Sequence, residues 1–141
     1  MDSNKSISNR FETLKINIQI KLSALWASVT LFYLYGDYFE LYIPDKVAGL
    51  VSGQNMLDSP IKLFTASVLL AIPAIMVSLS VLLKPQINRW LNIVFGVFFT
   101  ALMLLIAFTS MVPWRAFYAF YAILESVITA LIVWYAIKWP K

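Results

Sequence analysis

Four apolar runs, Ile20 to Ile43, Ile61 to Leu83, Leu91 to Val112 and Phe117 to Ile137, take up most of a chain of 141 residues. Each reaches or exceeds the roughly 20 residues that cross the hydrocarbon core of a bilayer as an α-helix. A helix satisfies its backbone hydrogen bonds internally, which is the condition for lying in lipid. A closed β-barrel meets the same condition, but its strands need about 10 residues of alternating polarity, and these runs are apolar on every side. The expected fold class is all-α: an integral membrane four-helix bundle with up-down-up-down connections. With 61% hydrophobic and 13% charged residues the chain lies well outside soluble domains, in which roughly 25% of residues are charged.

Two units follow from this pattern: residues 1–19, a polar and amphipathic N-terminal segment, and residues 20–141, the transmembrane domain. The longest polar stretches are that N-terminal segment and the connection Pro44 to Pro60, so any function resides in the bundle or its loops. The first apolar run begins near residue 20, is too long for a signal peptide and has no small-residue cleavage site behind it, so it is expected to be retained.

The net charge of +4 does not indicate a nucleic-acid partner, because Lys and Arg are scattered at the span ends rather than clustered along a face. Membrane topology accounts for them. Lys5, Arg10, Lys15, Lys21, Lys84, Arg89, Lys138 and Lys141 fall on one side, and only Lys46, Lys62 and Arg115 on the other. The positive-inside rule then places both termini in the cytoplasm. Trp90 and Trp139 fall at the inner interface and Tyr42, Trp114 and Tyr118 at the outer one, as aromatic belts require.

The absence of Cys and His excludes disulfides, thiol catalysis, thiolate metal sites and the usual haem and metal ligands. No cofactor or metal is expected. An enzyme would have to work with a pair of acids alone, and no nucleophile is visibly activated, so catalysis is not the expected activity.

Within the N-terminal segment Phe11, Leu14, Ile18 and Leu22 recur at helical spacing, as for an amphipathic lead-in at the interface, although the alternation of Ile16, Ile18 and Ile20 also suits a strand. The long first connection, with Val47, Leu50 and Val51 as one apolar turn after Pro44, is expected to fold over the outer face as a lid. The connections at Lys84-Pro85-Gln86 and Pro113-Trp114-Arg115 are tight, which makes the spans they join antiparallel neighbours. Pro73 lies inside the second span, where it removes one backbone hydrogen bond.

Polar residues inside the spans carry the functional signal. Trp26, Thr30, Tyr33, Asp37 and Glu40 form one stripe of the first span, and Tyr118, Ala122, Glu125 and Thr129 a stripe of the fourth, with Tyr121 beside it. From the outer ends of their spans Asp37 and Glu125 lie about 9 and 12 Å deep at 1.5 Å per residue, so the two acids share a level. Thr65 and Ser67 on the second span and Thr109 and Ser110 on the third add polarity to the same outer half, while the inner half is expected to be drier, with Ser78 and Ser80 the exceptions. The expectation is an outer-half pocket lined by Tyr33, Asp37, Glu40, Tyr121 and Glu125. Carboxylates among tyrosines in a membrane can bind an organic cation by charge and cation–π contact, or exchange protons. The competing structural expectation has Asp37 and Glu40 hydrated beyond a helix end at Gly36, and Glu125 bonded to Tyr33 or paired with Lys62 or Arg115. Ala122, Ser126 and Ala130 make a small-residue ridge that permits close helix approach within or between subunits.

The segments Lys21-Leu-Ser-Ala-Leu-Trp26, Tyr35-Gly-Asp-Tyr38, Asn88-Arg-Trp-Leu-Asn-Ile93 and Ala130-Leu-Ile-Val-Trp-Tyr-Ala-Ile-Lys-Trp-Pro140 resemble those of a family of small bacterial four-span membrane proteins whose domain has no assigned function. The resemblance covers nearly the whole chain and implies a bacterial inner-membrane protein of four helices, without an activity. Where that family pattern has an acid before the Ile-Pro of the second span, this chain has Ala71. In organisation the chain is loosely similar to DoxX-like proteins. Small multidrug transporters share the four spans and the intramembrane Glu, but place their acid in the first span and often insert in both orientations, which the charge bias here opposes. Two functions are therefore expected: a small membrane protein that binds a cationic or amphipathic ligand or protons, in the manner of a carrier, or a structural accessory subunit of a membrane complex. The expected partners are the lipid bilayer, a small-molecule ligand, and a second copy or another membrane protein.

Overall fold

The computed structural model describes residues 16–140, so the amphipathic expectation at Phe11 and Leu14 lies outside the described residues. The chain forms α1 (Ile18–Glu40), α2 (Lys46–Val51), α3 (Pro60–Leu82), α4 (Pro85–Thr109) and α5 (Ala116–Lys138), with a 3₁₀ turn at Pro113–Arg115. No strand occurs among the described residues, which settles the alternation of Ile16, Ile18 and Ile20 in favour of helix from Ile18 onward. The helices α1, α3, α4 and α5 are long and apolar enough to cross a membrane, and they mark a multi-pass membrane protein.

Local chemistry sets the helix starts. The Asn17 side chain accepts from Gln19 N at 3.0 Å to cap α1, and Ser59 Oγ accepts from Lys62 N at 3.3 Å to cap α3. Pro60, Pro85 and Pro113 open α3, α4 and the 3₁₀ turn, where a missing N–H is no loss and the ring presets φ. Two boundaries differ from expectation. Helix α1 runs through Gly36 and ends at Glu40, so Asp37 and Glu40 are helical residues. Helix α4 begins at Pro85, six residues before the apolar run, which brings Asn88 into the bundle.

Helix α1 packs against α3 and α5, and α5 packs along α4, whereas α3 and α4 contact each other sparsely despite their short connection. The expectation of close neighbours thus holds for α4 and α5 but not for α3 and α4. Gly96 explains the tight pair: a Cβ there would sit 2.6 Å from Val133 Cγ2 and 3.4 Å from Thr129 O. Thr100 Oγ1 lies 2.8 Å from Thr129 Oγ1 across the same seam. The close approach is therefore made at Gly96; of the Ala122, Ser126 and Ala130 ridge, the first two are buried and Ala130 is exposed.

The apolar core is Leu22, Trp26, Val29, Met76, Phe99, Met103 and Ile132. Beneath it, at the end of the bundle that carries the start of α1 and the end of α5, lies a polar network contrary to the expected dryness. Trp26 Nε1 donates to Asn92 Oδ1 at 2.7 Å, Asn92 Nδ2 donates to Asn88 Oδ1 at 2.7 Å, and Asn88 Nδ2 donates to Ser80 O at 2.6 Å. All four residues are fully buried. Further bonds tie the same end together: Ser23 Oγ to Val77 O at 2.8 Å, Gln19 Nε2 to Leu83 O at 3.1 Å, and Arg89 Nε to Ala136 O at 3.0 Å. Ser78, by contrast, is exposed.

Removing the Asn92 side chain takes the acceptor from the indole N–H and the donor from Asn88 Oδ1 together. Asn92→Ala is expected to lower unfolding stability in detergent by about 1–3 kcal/mol, against no measurable change for Ser67→Ala, whose hydroxyl only returns to Leu63 O of its own helix. Equal stability of the two variants contradicts the network's role.

Candidate functional site

At the opposite end, between the four long helices and beneath the α2 segment, lies a cavity of about 420 Å³, within the usual range for small-molecule sites. Helix α1 contributes Tyr33, Gly36, Asp37 and Glu40, and α5 contributes Tyr118, Tyr121, Ala122 and Glu125. All five residues expected from the sequence therefore line one space. The spacing that makes stripes on two helices makes a shared wall once α1 and α5 pack together.

The facing wall is apolar. Ala66, Leu69 and Leu70 from α3 and Leu102, Met103 and Ile106 from α4 line it, with Phe99 below. The expectation that every helix would offer polarity here is corrected. Thr65, Ser67 and Thr109 are exposed and bond the carbonyls of Ile61, Leu63 and Leu105 in their own helices. A hydroxyl one helical turn above a carbonyl finds its acceptor locally and needs no neighbour. Ser110 is buried at the end of α4, where its backbone N–H caps Ile106 O.

Glu40 has a structural role. Its Oε1 lies 2.6 Å from Lys46 Nζ and 3.5 Å from Arg115 Nη2, joining the end of α1, the start of α2 and the start of α5. Leu50, Met56 and Leu57 of the connection also line the cavity, in the place expected of a lid, although all three are exposed, as are Val47 and Val51. The connection is folded tightly: Asp45 takes a left-handed φ of 62°, and a Cβ on Gly49 would sit 2.9 Å from Gln54 O.

Glu125 is only 3% exposed, and among the described residues its carboxylate makes no hydrogen bond and no ion pair. Each structural partner considered for it is otherwise engaged or idle. Lys62 pairs with Asp58 at 2.6 Å, Arg115 reaches Glu40, and Tyr33 Oη is buried with no hydrogen-bond partner among the described residues. Asp37 is exposed and lines the same cavity as Glu125, and it too forms no ion pair among the described residues. Buried polar groups are ordinarily satisfied, so an unpartnered carboxyl and an unpartnered phenol on one wall point to an occupant that supplies the missing donors or acceptors.

Aromatic rings surround this wall. Tyr33 packs on Phe99 at 6.1 Å, Tyr121 on Phe32 at 5.6 Å, and Phe39 stacks on Tyr121 at 6.4 Å. Tyr118, expected in the interfacial belt, turns inward instead, its Cε2 being 3.4 Å from where a Gly36 Cβ would stand. Gly36 is therefore a contact position rather than a helix end. Pro73 is buried in α3 and has no N–H, so the carbonyl of Leu69, a cavity residue, lacks its helical partner. Tyr118 could have been assigned to the site from its stripe; Lys46, Met56 and Leu57 had no periodic signal, because loop geometry brings them there.

No group of three or more acidic, His or Cys side chains capable of holding a metal occurs among the described residues. The arrangement can bind a positively charged group against carboxylates and aromatic faces while housing an apolar part opposite. A family model matches residues 10–141, that of a family of unknown function designated DUF6326. No curated protein and no solved structure matches the chain.

Proposed function

We propose that this chain, which belongs to DUF6326, binds a small cationic or amphipathic ligand, or protons, in the cavity between α1, α3, α4 and α5, and acts as a carrier in a bacterial inner membrane. The observation that carries the reading is the buried Glu125 carboxyl, unpartnered among the described residues and lining a cavity with Asp37 and the unpartnered Tyr33 hydroxyl. An intramembrane carboxyl that only bridged helices would be expected to have found a hydrogen-bond partner. The bias of Lys and Arg supports an orientation with both termini in the cytoplasm and the α2 lid outside.

The chain has no Cys, so single-cysteine variants report this orientation cleanly. In intact cells, a membrane-impermeant maleimide should label Val51→Cys, at a position 85% exposed, and spare Gln86→Cys at the opposite end. The reverse pattern overturns the orientation.

Ligand binding is read as thermal stabilisation of the purified protein by organic cations between pH 5 and 9, since a ligand that binds only the folded state raises stability by linkage. A cation requires the ionised carboxylate, so stabilisation grows as pH rises. Glu125→Gln abolishes both the stabilisation and its pH dependence. If wild type and variant respond identically, Glu125 is structural, and the reading as an accessory subunit replaces the carrier.

A further inference from the structure

The two walls of the cavity differ in chemistry, and the difference specifies the ligand more closely than its charge does. Every ionisable group that faces the cavity from a long helix belongs to α1 or α5, namely Asp37, Glu40 and Glu125 with three tyrosines; α3 and α4 present only aliphatic side chains, Met103 and Phe99. The α2 segment adds one cation, Lys46, and its ammonium is held by Glu40 at 2.6 Å. That ion pair, with Arg115 beside it, straps the lid across the polar side.

The apolar side is not strapped. Helices α3 and α4 contact each other sparsely, and Leu70 both lines the cavity and is 41% exposed, so the cavity approaches the bundle surface along α3 as well as beneath the lid, where Leu57 and Met56 are 45% and 78% exposed. On a membrane-spanning helix that surface faces hydrocarbon. A ligand that filled both parts would hold a charged head at the α1 and α5 wall and pass an apolar chain outward between α3 and α4.

The head is also constrained. Glu125 and Asp37 offer carboxylate oxygens, and Tyr33 Oη has no hydrogen-bond partner among the described residues. A primary ammonium brings three N–H donors and no acceptor, and can satisfy such a set; a quaternary head brings none. A carboxylate or phosphate head would set like charge against Glu125 and Asp37.

We infer that the ligand is a single-chain primary alkylamine, its ammonium between Asp37 and Glu125 and its tail running between α3 and α4 toward the lipid. This rests on the cation-binding reading above and adds to it the ligand class and the direction of access. The tail reaches the cavity from within the bilayer, so the lid need not open for loading.

Photolabelling of the full chain in lipid nanodiscs, with decylamine carrying a diazirine near the end of its tail, tests this. The expected adducts map by peptide mass spectrometry to α3 and α4 around Leu70 and Ile106. They fall about tenfold or more with excess unlabelled decylamine and in Glu125→Gln, as loss of a buried charge partner requires. Should Glu125→Gln not fold, Asp37→Asn and the unlabelled competitor carry the same comparison. Competed adducts confined to Met56 and Leu57 place the tail beneath the lid; they overturn lateral access and leave the cation pocket standing. If no adduct anywhere is reduced by the competitor, the alkylamine and the cation-binding reading both fail.

Discussion

The indole N–H of Trp26 reaches Asn92 Oδ1 at 2.7 Å and joins α1 to α4, two helices that pack mainly on other neighbours. In a bilayer the hydrophobic effect does not distinguish a helix from a lipid tail, so hydrogen bonds and close packing must set which helices meet. Asn92 in turn holds Asn88, and Asn88 holds the Ser80 carbonyl at the end of α3. Three helices are thereby fixed at one end of the bundle, and the Gly96 seam fixes the fourth through α4 and α5. The opposite end is left free to part around a cavity.

That asymmetry accounts for the site. With one end fixed by satisfied polar groups, the other can carry unsatisfied ones without the bundle losing its register. Glu125 sits between the two regimes: its backbone carbonyl accepts from Thr129 Oγ1 at 2.9 Å within α5, while its side chain faces the cavity. The Glu40, Lys46 and Arg115 cluster stabilises the lid rather than the core. These groups are partly exposed, so each pair contributes little to stability, and its importance lies in where it holds the connection.

The helical architecture was legible because spans of apolar residues admit few alternatives in lipid, and the grouping of five residues on one cavity wall because stripes at intervals of three and four must share a face. What escaped reading came from other causes. Asn88 lies before the apolar run, so hydropathy set the start of α4 too late and hid the polar base. Thr65, Ser67 and Thr109 looked like pocket residues, but a membrane hydroxyl is satisfied by its own helix, and sequence does not state which way it turns. Gly36 looked like a helix end and proved to be a contact, since a buried glycine in a helix records the neighbour that lies against it, here Tyr118. The short connection between α3 and α4 implied neighbours, yet it constrains only the turn, and the cavity keeps the helices apart above it.

The proposed anchoring of one positively charged occupant by Glu125 in the loop-end cavity is measured most directly by equilibrium binding of radiolabelled decylamine to the protein in nanodiscs, corrected with empty nanodiscs. Saturation at one amine per chain, abolished by Glu125→Gln, is the predicted result. Uptake that rises linearly without saturation, and equally in both proteins, would contradict it.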